Sequence, residues 1–531
     1  MIEHFRDAAQ LPERPDVVVV GAGAVGIPLA VHLARGGKRV LLLEAGGPRR
    51  MDDEPVRFDT AVSTGHLLKG LHDARFRALG GTTNAWGGQL LEFDRIIFEE
   101  RPWVPDGAWP FGREELEPFY ERAFELLGMG HRIRHDENVW RRLGVVPPHT
   151  GDDIAFFFTR WTPQPNFARA FRADLTKNPN LHVLTNAPVV GLWSAEDGRR
   201  IGVIVAGPDK ATHALSAEKI VLAQGTVETA RLLMMPLVDR KVAPWTGNPW
   251  LGRGFCDHVD ANVGRVTPIN PARFHRLFDG AVIDGLKYLP KLKLTAEAQR
   301  KHKLLGIAAH FVFDSRNEEG LKAIKGLVRG LMQRRLEAAA VQDWHSLAAA
   351  TRVAVPAALH LLLRRRIYNP GDRSILLRVT GEQMPLRESG LRLTDQVDAV
   401  GMPLAEIDWR IDGEAELKTI AEFSSRVAQF LATEGLARVD MDPRLDRRDP
   451  AFMAEVEDGY HQMGMARMGH SPGDGVVDAD QRVFGTENLF VAGAATFRSA
   501  GFPNPTLTAI AAGLRLGDTI LRTTAVQKLI A

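Results

Sequence analysis

The fold of this chain is decided by residues 16–26, which read DVVVVGAGAVG, and by residues 40–47, which read VLLLEAGG. Each stretch contains four consecutive apolar residues, a pattern typical of a short strand that is buried on both faces of a parallel sheet. Glycines follow the first strand, and an acidic residue follows the second. This order of strand, glycine turn, helix, strand and terminal acid predicts a βαβ unit that binds a dinucleotide.

The glycines of this turn have separate physical roles. Gly21 allows the tight turn, Gly23 lets the backbone approach a pyrophosphate, and Gly26 lets helix and strand pack closely. A helix is predicted to begin near Gly23, with Ala24 and Val25 in its first turn, so that its N–H groups point at the phosphates.

The acidic residue is Glu44, which is followed by Ala45. It lies about 20 positions after the glycines, where a carboxylate hydrogen-bonds a ribose 2′-hydroxyl. A carboxylate there disfavours the 2′-phosphate of NADP. The motif alone does not separate NAD from FAD.

Composition excludes several other classes of protein. With 67 Lys+Arg against 65 Asp+Glu in 531 residues, the net charge of +2 gives no electrostatic case for nucleic-acid binding. The single cysteine, Cys256, excludes an internal disulfide, a cysteine-ligated iron–sulfur cluster and a cysteine zinc site. No metal site is expected. The first fifteen residues contain no apolar signal region, so a cytoplasmic location is the expectation.

Further strands of the dinucleotide fold are predicted far along the chain. Residues 219–226 and 488–494 both read as buried strands that end in small residues. Residues 181–205 alternate between apolar and polar, which predicts a hairpin with its turn at Asp197-Gly198. A helix is predicted at 113–127, and another from Pro505 to about Leu521.

These separated strands predict an α/β fold with a discontinuous Rossmann-like domain, residues 1–260 and 458–531. The intervening residues 261–457 are predicted to form an α+β substrate domain. Strands at 373–379, 391–393 and 404–409 indicate a mainly antiparallel sheet there.

Taken in sequence order, eight blocks resemble the glucose–methanol–choline (GMC) oxidoreductases, which are FAD enzymes that oxidise alcohols. The details are most similar to bacterial members related to pyranose oxidases and gluconate dehydrogenases. The two stretches quoted above form the first block together. The other seven are LGGTTNAWGG at 79–88, WPF at 109–111, LAQGTVETAR at 222–231, GRGFCDH at 252–258, GYHQMGMARMG at 459–469, GVVD at 475–478 and NPT at 504–506.

The resemblance implies which residues bind FAD and which act on the alcohol. His461 matches the catalytic histidine of the family, and its ordinary pKa near 6.5 suits a proton acceptor. Asn504 matches the second active-site position, where an amide orients the hydroxyl. The remaining residues expected at the cofactor are Gly80, Gly81, Thr82, Thr83, Asn84, Ala85, Gly88, Val189, Ala223, Gly225, Gly493, Ala494, Pro505 and Thr506, together with Asn504 itself.

Two positions depart from the family pattern. Several members link FAD covalently through a histidine where this chain has Ala85, so FAD is expected to be non-covalent. Many members have an aspartate where this chain has Gly493, so contacts there are expected to fall to backbone amides. His258 and His470 read as structural or loop residues, and Cys256 reads as a packed residue.

The expected partners are a small-molecule alcohol, most simply a sugar, glycoside or polyol, and oxygen, a quinone or another electron acceptor. Three alternatives stay open: an apolar or aromatic alcohol, a lyase or photoenzyme on the same fold, and a catalytically silent subunit. Residues 321–366 combine helical apolar spacing with many Lys and Arg residues. An amphipathic helix pair is the simpler interpretation, and a lid or a contact with a membrane surface is the alternative.

Overall fold

The computed structural model describes residues 1–48, 61–130, 135–321 and 344–530, without the side chains of 344–352 and 524–530. It is a mixed α/β structure in which a parallel sheet and antiparallel sheets are combined, so the predicted fold class is confirmed. The domain boundaries at 260 and 458 remain a prediction.

Six strands form the parallel sheet. The prediction of two doubly buried strands is confirmed, since every residue of Val17–Val20 and Val40–Leu43 is buried. Leu181–Thr185 adds a strand beside Val40–Leu43. On the other side, Lys219–Leu222 lies beside Val17–Val20 and Leu489–Val491 lies beyond it, as predicted for strands within 219–226 and 488–494. In spatial order the strands are Ile2–His4, Leu181–Thr185, Val40–Leu43, Val17–Val20, Lys219–Leu222 and Leu489–Val491.

The first helix begins at Gly26, not near Gly23 as predicted. The turn occupies the residues between, because Gly21 adopts a φ of +99° to leave the strand. A β-carbon on Gly26 would lie 1.8 Å from the carbonyl oxygen of Gly21, so helix and strand approach too closely for any side chain. The predicted packing role of this glycine agrees with that contact.

The predicted hairpin at 181–205 is partly wrong. Its turn and its second half are correct, because Val189–Ser194 pairs antiparallel with Ile201–Ala206. Leu181–Thr185 instead joins the parallel sheet beside Val40–Leu43. The alternation of apolar and polar residues did not show which sheet each strand joins, because Leu181–Thr185 and Ile201–Ala206 are both largely buried.

A nine-stranded antiparallel sheet forms the second layer. Two of its strands, Gln89–Leu90 and Ile154–Trp161, come from before residue 260, so this sheet is not confined to residues 261–457. The others are Val259–Pro268, Ala281–Ile283, Leu286–Leu294, Ile307–Asp314, Ser374–Gly381, Ala437–Met441 and Glu457–Asp458.

Two small sheets and the helices complete the described structure. Thr212–Leu215 extends the hairpin, and Gly390–Val397 pairs with Pro403–Asp408, which lies parallel to Ala61–Ser63. The α-helices are Gly26–Arg35, Gly70–Asp73, Glu117–Leu126, Asp136–Leu143, Phe167–Ala170, Arg172–Lys177, Thr226–Met234, Pro271–Phe278, Ala296–His302, Trp344–Arg364, Glu414–Thr433, Pro443–Asp446 and Thr506–Ile530. Short 3₁₀ turns are Ala8–Gln10, Gly81–Asn84, Arg95–Ile97, Arg113–Glu115, Pro450–Glu455 and Ala494–Thr496.

The C-terminal helix Thr506–Ile530 extends beyond the predicted end near Leu521 and packs against Gly26–Arg35. His32 and Asp518 join the two helices at 2.8 Å. This packing brings residues 504–506 to the glycine turn at the other end of the chain, which is how the two halves of the site meet.

The segment 321–366 is described only in part. Residues 322–343, which carry most of the predicted basic face, lie outside the described residues. The second apolar stretch is helical within Trp344–Arg364. Among the described helices, none is long and apolar enough to cross a membrane.

Candidate active site

A cleft opens at the carboxyl ends of the parallel strands, where ligands of open α/β sheets bind. The glycine turn, the end of the second strand and the start of the C-terminal helix all face it. Of the residues singled out from the sequence, the cleft is lined by Gly21, Gly23, Ala24, Val25, Glu44, Ala45, Gly81, Thr82, Thr83, Val189, Ala223, Gly225, Gly493, Ala494, Pro505 and Thr506, together with His461.

The walls of the cleft leave room for a ligand at backbone level. A β-carbon built on Gly23 or on Gly225 would meet no protein atom within 4 Å, so both glycines open onto space that a ligand can fill. Gly225 also has a φ of +85°, which side chains rarely adopt. These observations fit a dinucleotide whose phosphates lie against bare backbone.

Glu44 is buried and holds the loops around it through both of its carboxylate oxygens. Oε2 accepts a hydrogen bond from Ala22 N at 3.0 Å, and Oε1 accepts one from Gly46 N at 2.9 Å. Burial raises the pKa of Glu44 to about 7, although these hydrogen bonds and the charge of Arg77 oppose the shift. Each oxygen retains a second lone pair, which fits the ribose hydroxyl that the sequence motif predicts.

Five predicted cofactor residues, besides Asn504, do not line the cleft. Gly26 packs against the turn, and the Gly80 N–H bonds to Ala22 O at 2.8 Å. Asn84 braces its own loop by donating to Leu79 O and Gly81 O and by accepting from Asn166. The other two are Gly88, which is buried near Thr162 and Pro165, and Ala85, which is exposed.

A buried ion network that the sequence reasoning missed borders the same cleft. Arg75, Arg77 and Glu228 line it. Arg75 pairs with Glu228, and Arg231 bonds to Glu228 at 3.0 Å and to Asp398 at 2.8 Å. Arg231 lies inside the family-like block 222–231, but Arg75 and Arg77 precede their glycine motif in a segment without periodicity. Removing one partner of such a network leaves an uncompensated buried charge.

His461 and Asn504 are in direct contact at the edge of the cleft. Asn504 Nδ2 lies 2.7 Å from His461 Nε2, and Gln89 Nε2 donates to Asn504 Oδ1 at 2.6 Å. In this orientation the amide nitrogen of Asn504 donates to Nε2, so Nε2 carries no proton. The predicted pair is therefore brought together, and Gln89, which carries no motif signal, fixes its amide.

His258 lies on the opposite side of the His461 ring, although the sequence indicated a structural residue. The two Nδ1 atoms are 3.0 Å apart. Since Nε2 of His461 accepts, its Nδ1 carries the proton and donates it to Nδ1 of His258. Burial lowers the pKa of His258 to about 4, so His258 is neutral and can accept this bond.

The backbone of His461 is held by Asp257, the neighbour of His258. Oδ1 of Asp257 accepts from the N–H groups of His461 at 2.9 Å, Gly459 at 3.0 Å and His258 at 2.7 Å. Burial raises the pKa of this carboxyl well above its ordinary value. The block that contains Asp257 thus positions the block that contains His461.

His461 is neutral near neutral pH. Burial, then His258 and then the positive charge of Lys291 lower its pKa well below the ordinary value. A neutral imidazole with an unprotonated Nε2 can accept a proton from a group bound beside it. The arrangement thus contains a base, an orienting amide and a cleft suited to a dinucleotide.

Two family descriptions match the sequence. The description "FAD dependent oxidoreductase" matches residues 16–266, which include the glycine turn and Glu44. The description "GMC oxidoreductase" matches residues 385–513, which include His461 and Asn504. The matches lie on the two parts of the chain that form the cleft.

Known proteins are similar over most of the chain. The fructose dehydrogenase large subunit of Gluconobacter japonicus is 23% identical, covering 95% of this chain and 97% of that protein. A long-chain-alcohol oxidase of Arabidopsis thaliana is 22% identical over 93% of this chain and 66% of its own length. Among solved structures, a pyridoxine 4-oxidase from Mesorbium loti has a TM-score of 0.61 at 17% identity, covering 95% of this chain and 99% of that one, which shows a common fold.

The family matches and the full-length relatives agree with the fold and the cleft. Together they support an FAD-dependent oxidoreductase of the GMC type that acts on alcohols.

Proposed function

We propose that the protein oxidises a hydroxyl group of a sugar, glycoside or polyol to a carbonyl, with His461 as the base and Asn504 as the orienting group. The observation that carries this proposal is the contact of 2.7 Å between His461 Nε2 and Asn504 Nδ2 beside the FAD cleft. FAD, when bound, supplies the acceptor for the carbon-bound hydride.

When the substrate binds, its alcohol oxygen lies between Asn504 and His461 and replaces the direct hydrogen bond between Asn504 Nδ2 and His461 Nε2. Asn504 Nδ2 then donates to the alcohol oxygen, and the hydroxyl proton faces Nε2 of His461. Gln89 keeps the amide in this orientation because it already donates to Oδ1 of Asn504. His461 Nε2 accepts the proton as the C–H bond breaks, so the proton and the hydride leave the substrate to different acceptors.

His258 holds the ring of His461 in place during the reaction. Once His461 holds two protons, its Nδ1–H still donates to His258 Nδ1, which lies 3.0 Å away. His258 is therefore a positioning residue for His461.

The cleft also favours negative charge. Thr506 and Pro505 line it, and Thr506 begins the C-terminal helix, whose N-terminal end carries a partial positive charge. Gly493 replaces the aspartate that many family members have, which removes a negative charge from this wall.

The substrate class is supported by the fructose dehydrogenase large subunit, whose similarity covers 95% of this chain. FAD is proposed to bind without a covalent bond, because Ala85 has no nucleophilic atom. Oxygen, a quinone or another carrier then reoxidises the cofactor.

Anaerobic mixing tests the proposal. The purified flavoprotein is mixed with sugars, glycosides, polyols, aliphatic alcohols and aryl alcohols, and loss of the oxidised flavin absorbance is followed in time. Sugars or polyols should bleach the flavin fastest, and oxygen or a soluble quinone is then admitted to identify the acceptor. Fastest bleaching by apolar or aryl alcohols would contradict the substrate class, and product formation without bleaching would indicate a lyase.

A further inference from the structure

Lys291 is a buried lysine that has no hydrogen-bond or ion-pair partner within the described residues. Its side chain belongs to the strand Leu286–Leu294 and is 9% exposed. Burial lowers the pKa of Lys291 to about 8, although the carboxylate of Asp260 opposes the shift. A buried ammonium group without a partner is costly, and such a group in a native structure calls for an explanation.

Other cations on the same face of the sheet are paired. Lys293, two residues along the strand, bonds to Asp94 at 2.7 Å. Arg378 bonds to Glu457 at 3.1 Å and to Asp260 at 3.4 Å. Of these three cations, Lys291 is thus the one whose ammonium group has no partner among the described residues and can bind a further anion.

The sheet register turns Lys291 toward the active site. Lys291 lies opposite Phe157, whose ring is 5.7 Å from that of Phe502, two residues before Asn504. The positive charge of Lys291 also contributes to lowering the pKa of His461, after burial and His258. Lys291 therefore lies on the face of the sheet where Phe157 packs against Phe502, close in the chain to the proposed pair.

His310 accompanies Lys291 on this face. The neighbouring strand pairs Ala309 with Leu292, and continuing that register by one residue places His310 beside Lys291. Burial, then Lys291 and then Arg378 lower the pKa of His310 well below its ordinary value. His310 is thus a neutral imidazole that can donate one hydrogen bond next to the ammonium group.

We propose that Lys291, with His310 beside it, binds an anionic group of the alcohol substrate, either a carboxylate or a phosphate. This inference rests on the proposed oxidation at His461 and Asn504, because the anionic group belongs to the same alcohol substrate. A charged acceptor would give Lys291 the partner it lacks, and a carboxylate or phosphate oxygen forms the strongest hydrogen bonds with an ammonium group. The substrate is then a polyol or sugar that carries an acidic group.

Three five-carbon compounds test the proposal: xylitol, xylonate and xylitol 5-phosphate. They share the polyol chain and differ in charge. The holoenzyme is studied anaerobically at constant ionic strength, and the increase in Tm and the dissociation constant from the concentration dependence of flavin reduction are measured for each compound. A ligand that binds the folded protein raises Tm whether or not it reacts.

Wild-type protein should bind at least one of the two anions more tightly than xylitol. Lys291→Gln should weaken binding of that anion about tenfold or more, and change binding of xylitol less than about twofold, because only the charged contact is lost. Lys291→Arg should restore part of the preference. Lys293→Gln, which removes a neighbouring charge already paired with Asp94, is the matched control and should leave the preference unchanged.

The two anions identify the source of the charge, since a preference for xylonate indicates a carboxylate and a preference for xylitol 5-phosphate indicates a phosphate. No preference for either anion in the Tm measurement, or an equal loss for all three compounds in Lys291→Gln, would overturn the proposal. Failure of the catalytic assignment is distinguishable: anion binding would depend on Lys291 while His461→Ala reduces its flavin at the wild-type rate.

Discussion

Nδ1 of His258 lies 3.0 Å from Nδ1 of His461, although 203 residues separate them in the chain. The proton on His461 is assigned from its other neighbour, because Asn504 Nδ2 donates to Nε2 and leaves the proton on Nδ1. Nδ1 donates this proton to His258, and Nε2 can accept a proton from a substrate hydroxyl. His258 therefore holds the ring in the orientation that the proposed proton transfer needs, although it does not itself contact the substrate.

Removing His258 should slow flavin reduction and shift its pH dependence. His258→Phe removes the acceptor of the Nδ1 proton, and His258→Asn can restore part of the effect by offering an amide oxygen near the same place. His258 also lowers the pKa of His461 in wild type, so its loss should raise that pKa and move the low-pH fall in rate to higher pH. The rate of flavin reduction is measured by rapid mixing between pH 5 and 9. An unchanged profile with normal flavin content would show that His258 only fills space.

Gly23→Val should give folded protein with little or no flavin. A β-carbon added at Gly23 meets no protein atom within 4 Å, so we expect the protein to fold, but the side chain occupies the space expected for the pyrophosphate. Flavin content is measured from the ratio of flavin to protein absorbance, and folding from circular dichroism. Gly473→Val, at an exposed loop glycine, is the control and should retain its flavin. Normal flavin content in Gly23→Val would mean that this glycine does not face the cofactor.

Short apolar runs made the parallel sheet predictable, because four buried residues at Val17–Val20 and at Val40–Leu43 specify strands without help from distant parts of the chain. The turn at Gly21 and the close packing at Gly26 were predictable for the same local reason. The sheet membership of Leu181–Thr185 was not, since alternation alone does not reveal the partner strand.

The candidate site was predictable only where a motif carried it. His461 and Asn504 were found through their blocks. The roles that we propose for Gln89, His258 and Lys291 were not predicted, because they depend on contacts between segments far apart in sequence. Those contacts follow from sheet register and from the packing of the C-terminal helix, which one sequence does not display.

FAD affinity should rise with pH around neutrality, and Glu44 should cause the rise. Burial raises the pKa of Glu44 to about 7. This pKa in the folded protein is higher than the ordinary value of 4.5, so protonated Glu44 contributes to the stability of the fold at acidic pH. The contribution is lost as the pH rises through 7 and Glu44 ionises. A ribose hydroxyl donates best to the ionised carboxylate, so the affinity should increase by up to about tenfold between pH 6 and pH 8.

Fluorescence titration of the apoprotein with FAD at both pH values measures this increase. Glu44→Gln should bind FAD more weakly and without the pH dependence, because the amide does not ionise and can accept only one of the two backbone hydrogen bonds. Glu414→Gln, at an exposed position, is the control. A flat wild-type affinity would contradict the role of an ionised Glu44.

Acid precipitation should release all of the flavin into the supernatant. The position at which relatives carry a linking histidine is Ala85 here, and its methyl group forms no bond to the cofactor. The absorbance at flavin wavelengths is compared between the supernatant and the washed pellet. Yellow colour retained in the pellet would show that another residue forms a covalent bond.

His461→Ala should retain FAD but lose most of its chemistry. The residues of the glycine turn and Glu44 are unchanged, so flavin content should remain normal, while loss of the acid–base group should slow flavin reduction by roughly 10²–10⁴-fold. Asn504→Ala should slow reduction less, because Asn504 positions the hydroxyl and does not accept its proton. Reoxidation by the electron acceptor should change less than reduction in both variants. His470→Ala, which removes an exposed histidine nine residues away, is the control and should react like wild type. If His461→Ala reduces its flavin at the wild-type rate with a good substrate, the hydroxyl proton goes to a different group, and the contact between His461 and Asn504 serves only to hold the loops together.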